Sequence, residues 1–380
     1  MTYLRHLTAA LFLCALLATS AFGLGTSCVT PQGHILARLA SPELRWSDRE
    51  VARLTALANL PFPDFQTAIK SMPPLERFRI AAAFLYISDP RSKPPIYAIS
   101  TQPRKRMGEY GDWLREHLHE ELSPNERKSI VTSKHTFGEP FRTDEAYKVW
   151  GEVAARRWRD NMSLLLDRVY GLDIERVEKT VPEEMFDGVE RGMKSEAGNA
   201  DWSLRRLSPN SQNTTYSDME AFFGEAKLQP GQTVVDLGAG YGRMGMYLGA
   251  QHPEVKFLGY EINPVRVAAG KKIYGILGFK NAQLLEQDLS AKDFELPVAD
   301  IYYMYDPVNQ ATRNILFKKI RARAEEAKAA GKKIKVICRE GRGDFHEWLA
   351  EQKWLKPTVT VRSGSNVGFG TDDSIIFEAE

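Results

Sequence analysis

The run Val234-Val235-Asp236-Leu237-Gly238-Ala239-Gly240-Tyr241-Gly242-Arg243 opens as an apolar, β-branched segment and then changes character. Val234, Val235 and Leu237 predict a buried strand. Gly238, Gly240 and Gly242 predict a tight turn, and the apolar residues from Met244 to Ala250 predict a helix behind it. A strand that runs through a glycine turn into a helix presents backbone N–H groups to whatever lies above it. That is how an α/β sheet holds a polar, nucleotide-like ligand.

Outward from this turn, strand-like and helix-like segments alternate to the end of the chain. Strands are expected over 233–237, 255–261, 282–285, 300–305 and 332–338, with helices over 219–226, 244–250, 264–277, 312–330 and 345–349. Strands separated by helices imply right-handed crossovers and a doubly wound, mostly parallel sheet. The rhythm breaks at the end, where 358–362 and 374–378 read as two strands with only Gly/Asp-rich chain between them. The expected fold is therefore α/β: a mostly parallel seven-stranded sheet closed by an antiparallel C-terminal hairpin. A mainly helical region precedes it, with segments over 47–57, 75–87, 107–122, 143–169 and 183–193. The stretch Asp89-Pro90-Arg91-Ser92-Lys93-Pro94-Pro95 interrupts them. The polar run from Ser208 to Thr215 marks the boundary, giving an accessory region over 29–212 and a ligand-binding domain over 213–380.

With 380 residues, 43% hydrophobic and 26% charged, the chain has the composition of an ordinary folded protein. Its formal net charge of +2 gives no argument for nucleic acid or for an acidic partner. The clusters Arg104-Lys105-Arg106 and Arg156-Arg157 read as solvated surface. No CxxC or HExxH occurs, so no redox or metal site is signalled. Residues 1–28 stand apart. Arg5 and His6 precede the apolar run from Ala9 to Ala18, and Ala21-Phe22-Gly23 follows, which is the layout of an export signal or an N-terminal membrane anchor. An exported or membrane-associated protein is expected from this, with placement of the domain on the cytoplasmic side as the other reading.

Three acids fall at expected strand ends: Asp236, Glu261 and Asp288. Ligands of such sheets bind outside the carboxyl ends of the strands, where a carboxylate is placed to accept from ribose hydroxyls. In this combination the segment resembles the class I S-adenosylmethionine-dependent methyltransferases. Val234 to Gly242 resembles their first motif, Gly259-Tyr260-Glu261 their acidic second, and Glu286-Gln287-Asp288-Leu289 their third. Asp-Ile-Tyr-Tyr-Met-Tyr-Asp-Pro-Val-Asn, residues 300–309, resembles their fourth, beside the transferred methyl. The resemblance implies S-adenosylmethionine as cofactor. Gly238, Gly240 and Gly242 would lie at its methionine end and Asp236 would face the methionine amino group. Glu261 would hold the ribose, Ile262 would pack on the adenine, and Asp288, with Leu289 beside it, would accept from the adenine's exocyclic amine. Thr215-Tyr216-Ser217 resembles the stretch that folds over the cofactor in protein-lysine methyltransferases, which adds Tyr216 to the set.

A nicotinamide reading requires the G-x-G-x-x-G motif to start at Gly240 and end at Gly245. It leaves Asp236 without a role and supplies no hydride-transfer partner. Methyl transfer from a sulfonium needs alignment and an acceptor for the nucleophile's proton, and no metal. Only His252 and His346 fall in this domain, which suits that chemistry. Asp306 is the expected catalytic carboxylate, flanked by Tyr305 and Asn309. Family members acting on planar amino nitrogens carry Asn/Asp-Pro-Pro-aromatic here. This chain has Asp306-Pro307-Val308-Asn309, so the expected acceptor is a protein lysine or a small molecule. The competing expectation is a regulatory protein that keeps the fold and the cofactor but not the transfer.

Overall fold

Several early helices of the structure, a computed structural model, begin beside prolines. Residues 48–88, 101–133, 152–182, 213–305, 310–339, 348–361 and 373–380 are described, and they fall in one compact unit, Leu36–Glu380. The helical half comprises α1 (Asp48–Asn59), α2 (Phe62–Lys70), α3 (Pro74–Ser88), α4 (Thr101–Glu121), α5 (Pro124–Val131), α6 (Glu152–Tyr170) and the short α7 (Ile174–Glu178). The expected interruption over 89–95 and the helix over 183–193 lie outside the described residues, as does the N-terminal segment. Among the described residues no helix is long and apolar enough to cross a membrane.

Three of these helices, α2, α5 and the short α7, were not expected, and α2 and α5 owe their start to proline. Phe62 and Pro63 open α2, and Pro124 opens α5, positions whose N–H would have no helical partner in any case. Ser123 and Glu126 close a capping box around the start of α5: the Ser123 hydroxyl accepts from the Glu126 N–H and the Glu126 carboxylate accepts from the Ser123 N–H. Likewise α4 starts six residues before the expected 107, with Pro103 in its first turn. Helix α3 is the hub of this half. Residues Phe78 to Ile87 are all buried, and α4, α5 and α6 pack around it.

The second half begins with α8 (Tyr216–Glu225) and continues with β1 (Thr233–Leu237), α9 (Arg243–Gln251), β2 (Lys256–Glu261), α10 (Pro264–Leu277) and β3 (Ala282–Glu286). Then come β4 (Ile301–Tyr305), α11 (Gln310–Ala329), β5 (Lys335–Arg339), β6 (Leu355–Val361) and β7 (Ser374–Ala379). The seven strands form one sheet in the order β3-β2-β1-β4-β5-β7-β6. The first five pair in parallel, and β7 lies antiparallel between β5 and β6. The expected doubly wound sheet and its closing hairpin are both present. The hairpin differs in one respect: its second strand is interior and its first is the edge. Strand β6 also starts earlier than expected, running through Pro357 with a bulge before Val359. An edge strand tolerates that proline because its N–H side faces outward.

Central strands β1, β4 and β5 are buried on both faces, so their sequences are continuous apolar runs rather than alternating ones. Val235, Leu237, Tyr302, Met304, Val336 and Cys338 pack with Leu316, Phe317 and Ile320 of α11 on one face. On the other, the Tyr303 ring stacks on Phe222 of α8 at 5.2 Å between centroids.

Buried charges join the helical half to the sheet. Arg243, the first residue of α9, donates to the Asp167 carboxylate of α6 through Nε at 3.1 Å and through a second, shorter bond, and to the Thr214 carbonyl at 3.0 Å. The Tyr216 hydroxyl donates to the same Asp167 at 3.0 Å. A second set holds Asp218 of α8 between Arg339 of β5 and Arg159 of α6. Burial opposes the Asp218 charge, but the Arg339 and Arg159 guanidiniums outweigh it and hold the carboxyl below its usual range. Removing one partner of such a pair leaves an uncompensated buried charge. Asp167→Ala, which strands both Arg243 and the Tyr216 hydroxyl, is expected to lower unfolding stability by about 3–5 kcal/mol in urea denaturation. A change below about 1 kcal/mol would show that the seam contributes little.

Candidate functional site at the strand ends

Strand register sets the site. Asp236 pairs with Gly259 of β2 and Tyr303 of β4, so β1 and β2 deliver Asp236 and Glu261 to the same end of the sheet. Beyond β1 the chain turns through Gly238 (φ 95°), Gly240 (φ 54°) and Gly242 (φ 72°), conformations that L side chains rarely adopt. The N–H groups of Gly238 and Ala239 both donate to the Tyr260 carbonyl, at 2.9 and 2.8 Å. Gly242 then starts α9.

Glu261 joins this turn to the next one. Its Oε2 accepts from the Gly240 N–H at 2.8 Å and its Oε1 from the Asn263 N–H at 2.9 Å. Asn263 in turn caps α10 by accepting from the N–H groups of Val265 and Arg266 at 3.0 and 3.2 Å. Each carboxylate oxygen of Glu261 thus keeps acceptor capacity for a ligand. Asp236 is in a different state. Burial raises its pKa, and the Glu261 charge raises it further, to about 8. At neutral pH the pair therefore carries about one negative charge rather than two.

Helix α9 packs closely against β2 and α10, and the reason is Gly245. A Cβ there would sit 2.1 Å from the Tyr274 hydroxyl and 2.6 Å from the Phe257 ring. Gly245 is thus a packing glycine, although no dinucleotide motif was needed to place it. The Tyr274 hydroxyl donates to the Gly242 carbonyl at 2.7 Å, tying α10 to the turn.

The other expected residues are distributed as follows. Ile262 is exposed, 51% accessible, directly after Glu261, whereas Leu289 is buried. Asp288 is exposed, and its Oδ1 accepts from the Ser290 N–H at 2.8 Å and the Ser290 hydroxyl at 2.6 Å, a local turn. Tyr216 is fully buried in the seam, stacked on Tyr170 at 5.4 Å and bonded to Asp167. Tyr303 is buried, with its hydroxyl 2.5 Å from that of Thr214. Tyr305 ends β4 half-buried, with the Arg339 guanidinium 4.9 Å above its ring. Asp306 and Asn309 lie outside the described residues. Among those residues no cluster of ligating side chains is placed to hold a metal ion.

Sequence reasoning missed Glu178, Thr214, Asn263 and Arg339. Glu178 of α7 accepts from the Tyr241 hydroxyl in the glycine turn and from Arg266 in the first turn of α10. Asn263-Pro264 before a helical run is a legible cap signal. Arg339, a charge closing the apolar run Val336-Ile337-Cys338, was legible as an exception to its surroundings. Glu178 carries no local signal, because its partners lie far along the chain.

No family model and no curated protein matches the chain. Among solved structures it is similar to a TehB-like SAM-dependent methyltransferase from Corynebacterium glutamicum, at 20% identity, covering 52% of this chain and 97% of that one with a TM-score of 0.33. A SAM-dependent methyltransferase from Aquifex aeolicus is similar at 14% identity, with 55% and 100% covered and a TM-score of 0.34. A mutant of MtNAS in complex with S-adenosylmethionine is similar at 11% identity, with 80% and 97% covered and a TM-score of 0.34.

The state of Asp236 has a measurable consequence. An unfolded Asp loses its proton near pH 4 and the folded Asp236 only near 8. Between those values the folded chain binds the extra proton, so stability from this group is present below about pH 4 and falls as pH rises toward 8. Asp236→Asn, which cannot ionise, is expected to raise the Tm of the ligand-free protein. The gain in Tm should grow from pH 5 to pH 8. A gain independent of pH would place the Asp236 pKa in the ordinary range.

Proposed function

We propose that this protein is an S-adenosylmethionine-dependent methyltransferase. The observation that carries the reading is the placement of Asp236 and Glu261 at the same end of neighbouring parallel strands, with Glu261 bonded into the glycine turn. The side chains present fit such a cofactor. The Glu261 carboxylate has acceptor sites left for two ribose hydroxyls, and exposed Ile262 offers an apolar surface beside it for a base. Asp236 is a buried carboxyl that a ligand ammonium would draw into its charged form. Asp288 contributes the shape of its turn, and Tyr216 acts through the seam by holding Asp167 and Arg243 in place.

The cofactor supplies an electrophilic methyl on a positively charged sulfur; the protein supplies alignment and a proton acceptor. The resemblance puts the transferred methyl beside the end of β4, where Tyr305 presents its ring and where Asp306 follows in the chain. In this reading Asp306 takes the proton of the incoming nucleophile, while Tyr305 and Asn309 orient it. The acceptor is a protein side chain such as lysine, or a small molecule. The charge-poor N-terminal run supports export or membrane attachment of the chain.

Titration calorimetry tests the cofactor directly. The folded protein is expected to bind S-adenosylmethionine, and Glu261→Ala to weaken binding by about 10- to 100-fold through loss of hydrogen bonds to a charged group. Because the ligand ammonium favours ionised Asp236, affinity should fall as pH drops below about 8, with proton release on binding. No binding by folded protein, or full affinity in Glu261→Ala, overturns the assignment.

A further inference from the structure

Glu178 lies in the helical half, yet its carboxylate bonds to two residues of the cofactor site. The chain reaches this position by design of the preceding turn. Helix α6 ends at Gly171 (φ 93°), where the Leu172 N–H donates back to the Asp167 carbonyl at 2.7 Å. Asp173 then caps the five-residue α7 by accepting from the Arg176 N–H at 3.0 Å, and buried Ile174 pins it. Its last residue, Glu178, faces α10 and the glycine turn. Oε1 accepts from the Tyr241 hydroxyl and from Arg266 Nε at 2.8 Å, and Oε2 from the second Arg266 nitrogen at 3.2 Å. The Arg266 guanidinium also lies over the Tyr241 ring, 5.4 Å from its centroid.

Arg266 is bonded to one acid, Glu178, and feels the charge of a second, Glu261. It follows Asn263, whose N–H is bonded to Glu261, by three residues, and Glu261 adds to the negative field around it. Burial works against the Arg266 charge, while its bonds to Glu178, with smaller contributions from Tyr241 and Glu261, hold its pKa above the usual value. A fork-shaped guanidinium bonded twice to Glu178 is held away from a third carboxylate bond.

We propose that Glu178 is a positioning residue of the cofactor site: by engaging Arg266 bidentately it keeps Glu261 available to ribose hydroxyls, and through Tyr241 it fixes the glycine turn. This rests on the reading that Glu261 holds a ribose. It also makes the helical half a direct determinant of cofactor affinity. Without the Glu178 charge, Arg266 gains by turning to Glu261, where it competes with the ligand and loosens the bond to the Gly240 N–H.

The test uses the full chain and separates charge from packing. Glu178→Gln keeps a carbonyl oxygen for the Tyr241 hydroxyl but removes the charge. It is expected to raise the Kd for S-adenosylmethionine about tenfold. Adding Arg266→Met removes the competing cation, and the double variant should return to within about threefold of the parent. A purely structural role predicts the opposite, a double variant weaker than either single one. A ligand-free readout stands beside it: the Gly240 amide proton, followed by NMR hydrogen exchange, should lose protection in Glu178→Gln and regain it in the double variant. Unchanged Gly240 protection in Glu178→Gln overturns the proposal even if the parent binds no S-adenosylmethionine. Failure of the parent to bind, with the exchange pattern as expected, overturns the cofactor assignment instead.

Discussion

The Glu261 carboxylate, shared between the Gly240 and Asn263 N–H groups, is the contact on which the rest of the site depends. Both donors sit in turns that follow parallel strands, and the Glu261 side chain bonds to both of them. Gly240 in particular belongs to a segment with three positive φ values, whose backbone would otherwise sample many states. Parallel pairing of β1 with β2 brings the two turns side by side, and one carboxylate then locks them together. The arrangement is economical because a carboxylate has more acceptor sites than two N–H groups use. The same group can hold the protein's own backbone and still receive a ligand.

Behind this contact stands a second constraint, the charged seam between the helical half and the sheet. Arg243 is the first residue after the glycine turn, so its bonds to Asp167 and to the Thr214 carbonyl set where α9 begins. Arg339 at the end of β5 is held by Asp218 of α8 in the same way. A hydrophobic seam of equal area would tolerate sliding, whereas a buried guanidinium bonded at several points does not. The helical half therefore does more than cover the sheet. It fixes the register of the elements that carry the glycine turn and the end of β5.

What the sequence disclosed follows the range of the interactions involved. The strands were legible because a buried parallel strand is a short apolar run, and β1, β4 and β5 are such runs. The glycine turn was legible because its φ values demand glycine. Helices α2 and α5 were not expected, since proline reads first as a breaker, although the box formed by Ser123 and Glu126 was there to be seen. The seam was hidden for a different reason: Asp167 and Arg243 are 76 residues apart and Asp218 and Arg339 are 121 apart. No periodicity joins residues at such separations. Glu178 and Arg266, 88 residues apart, belong to the same class. Local signals placed the elements, but the groups that fix them against one another emerge only when the chain is folded.

The two acids at the strand ends show how neighbouring carboxylates acquire different roles. Glu261 accepts two backbone N–H groups, one on each carboxylate oxygen. Asp236 is buried one strand away and feels that charge, so its proton is retained up to about pH 8. The free site is thus an anion beside a neutral acid. A ligand with hydroxyls alone would satisfy Glu261 and leave Asp236 protonated. A ligand that also carries a cation replaces the Asp236 proton and converts a buried neutral carboxyl into a paired charge. In the proposed reading that difference favours a ligand that combines a polyol with a cation, and it arises first from the burial of Asp236 and second from the Glu261 charge beside it.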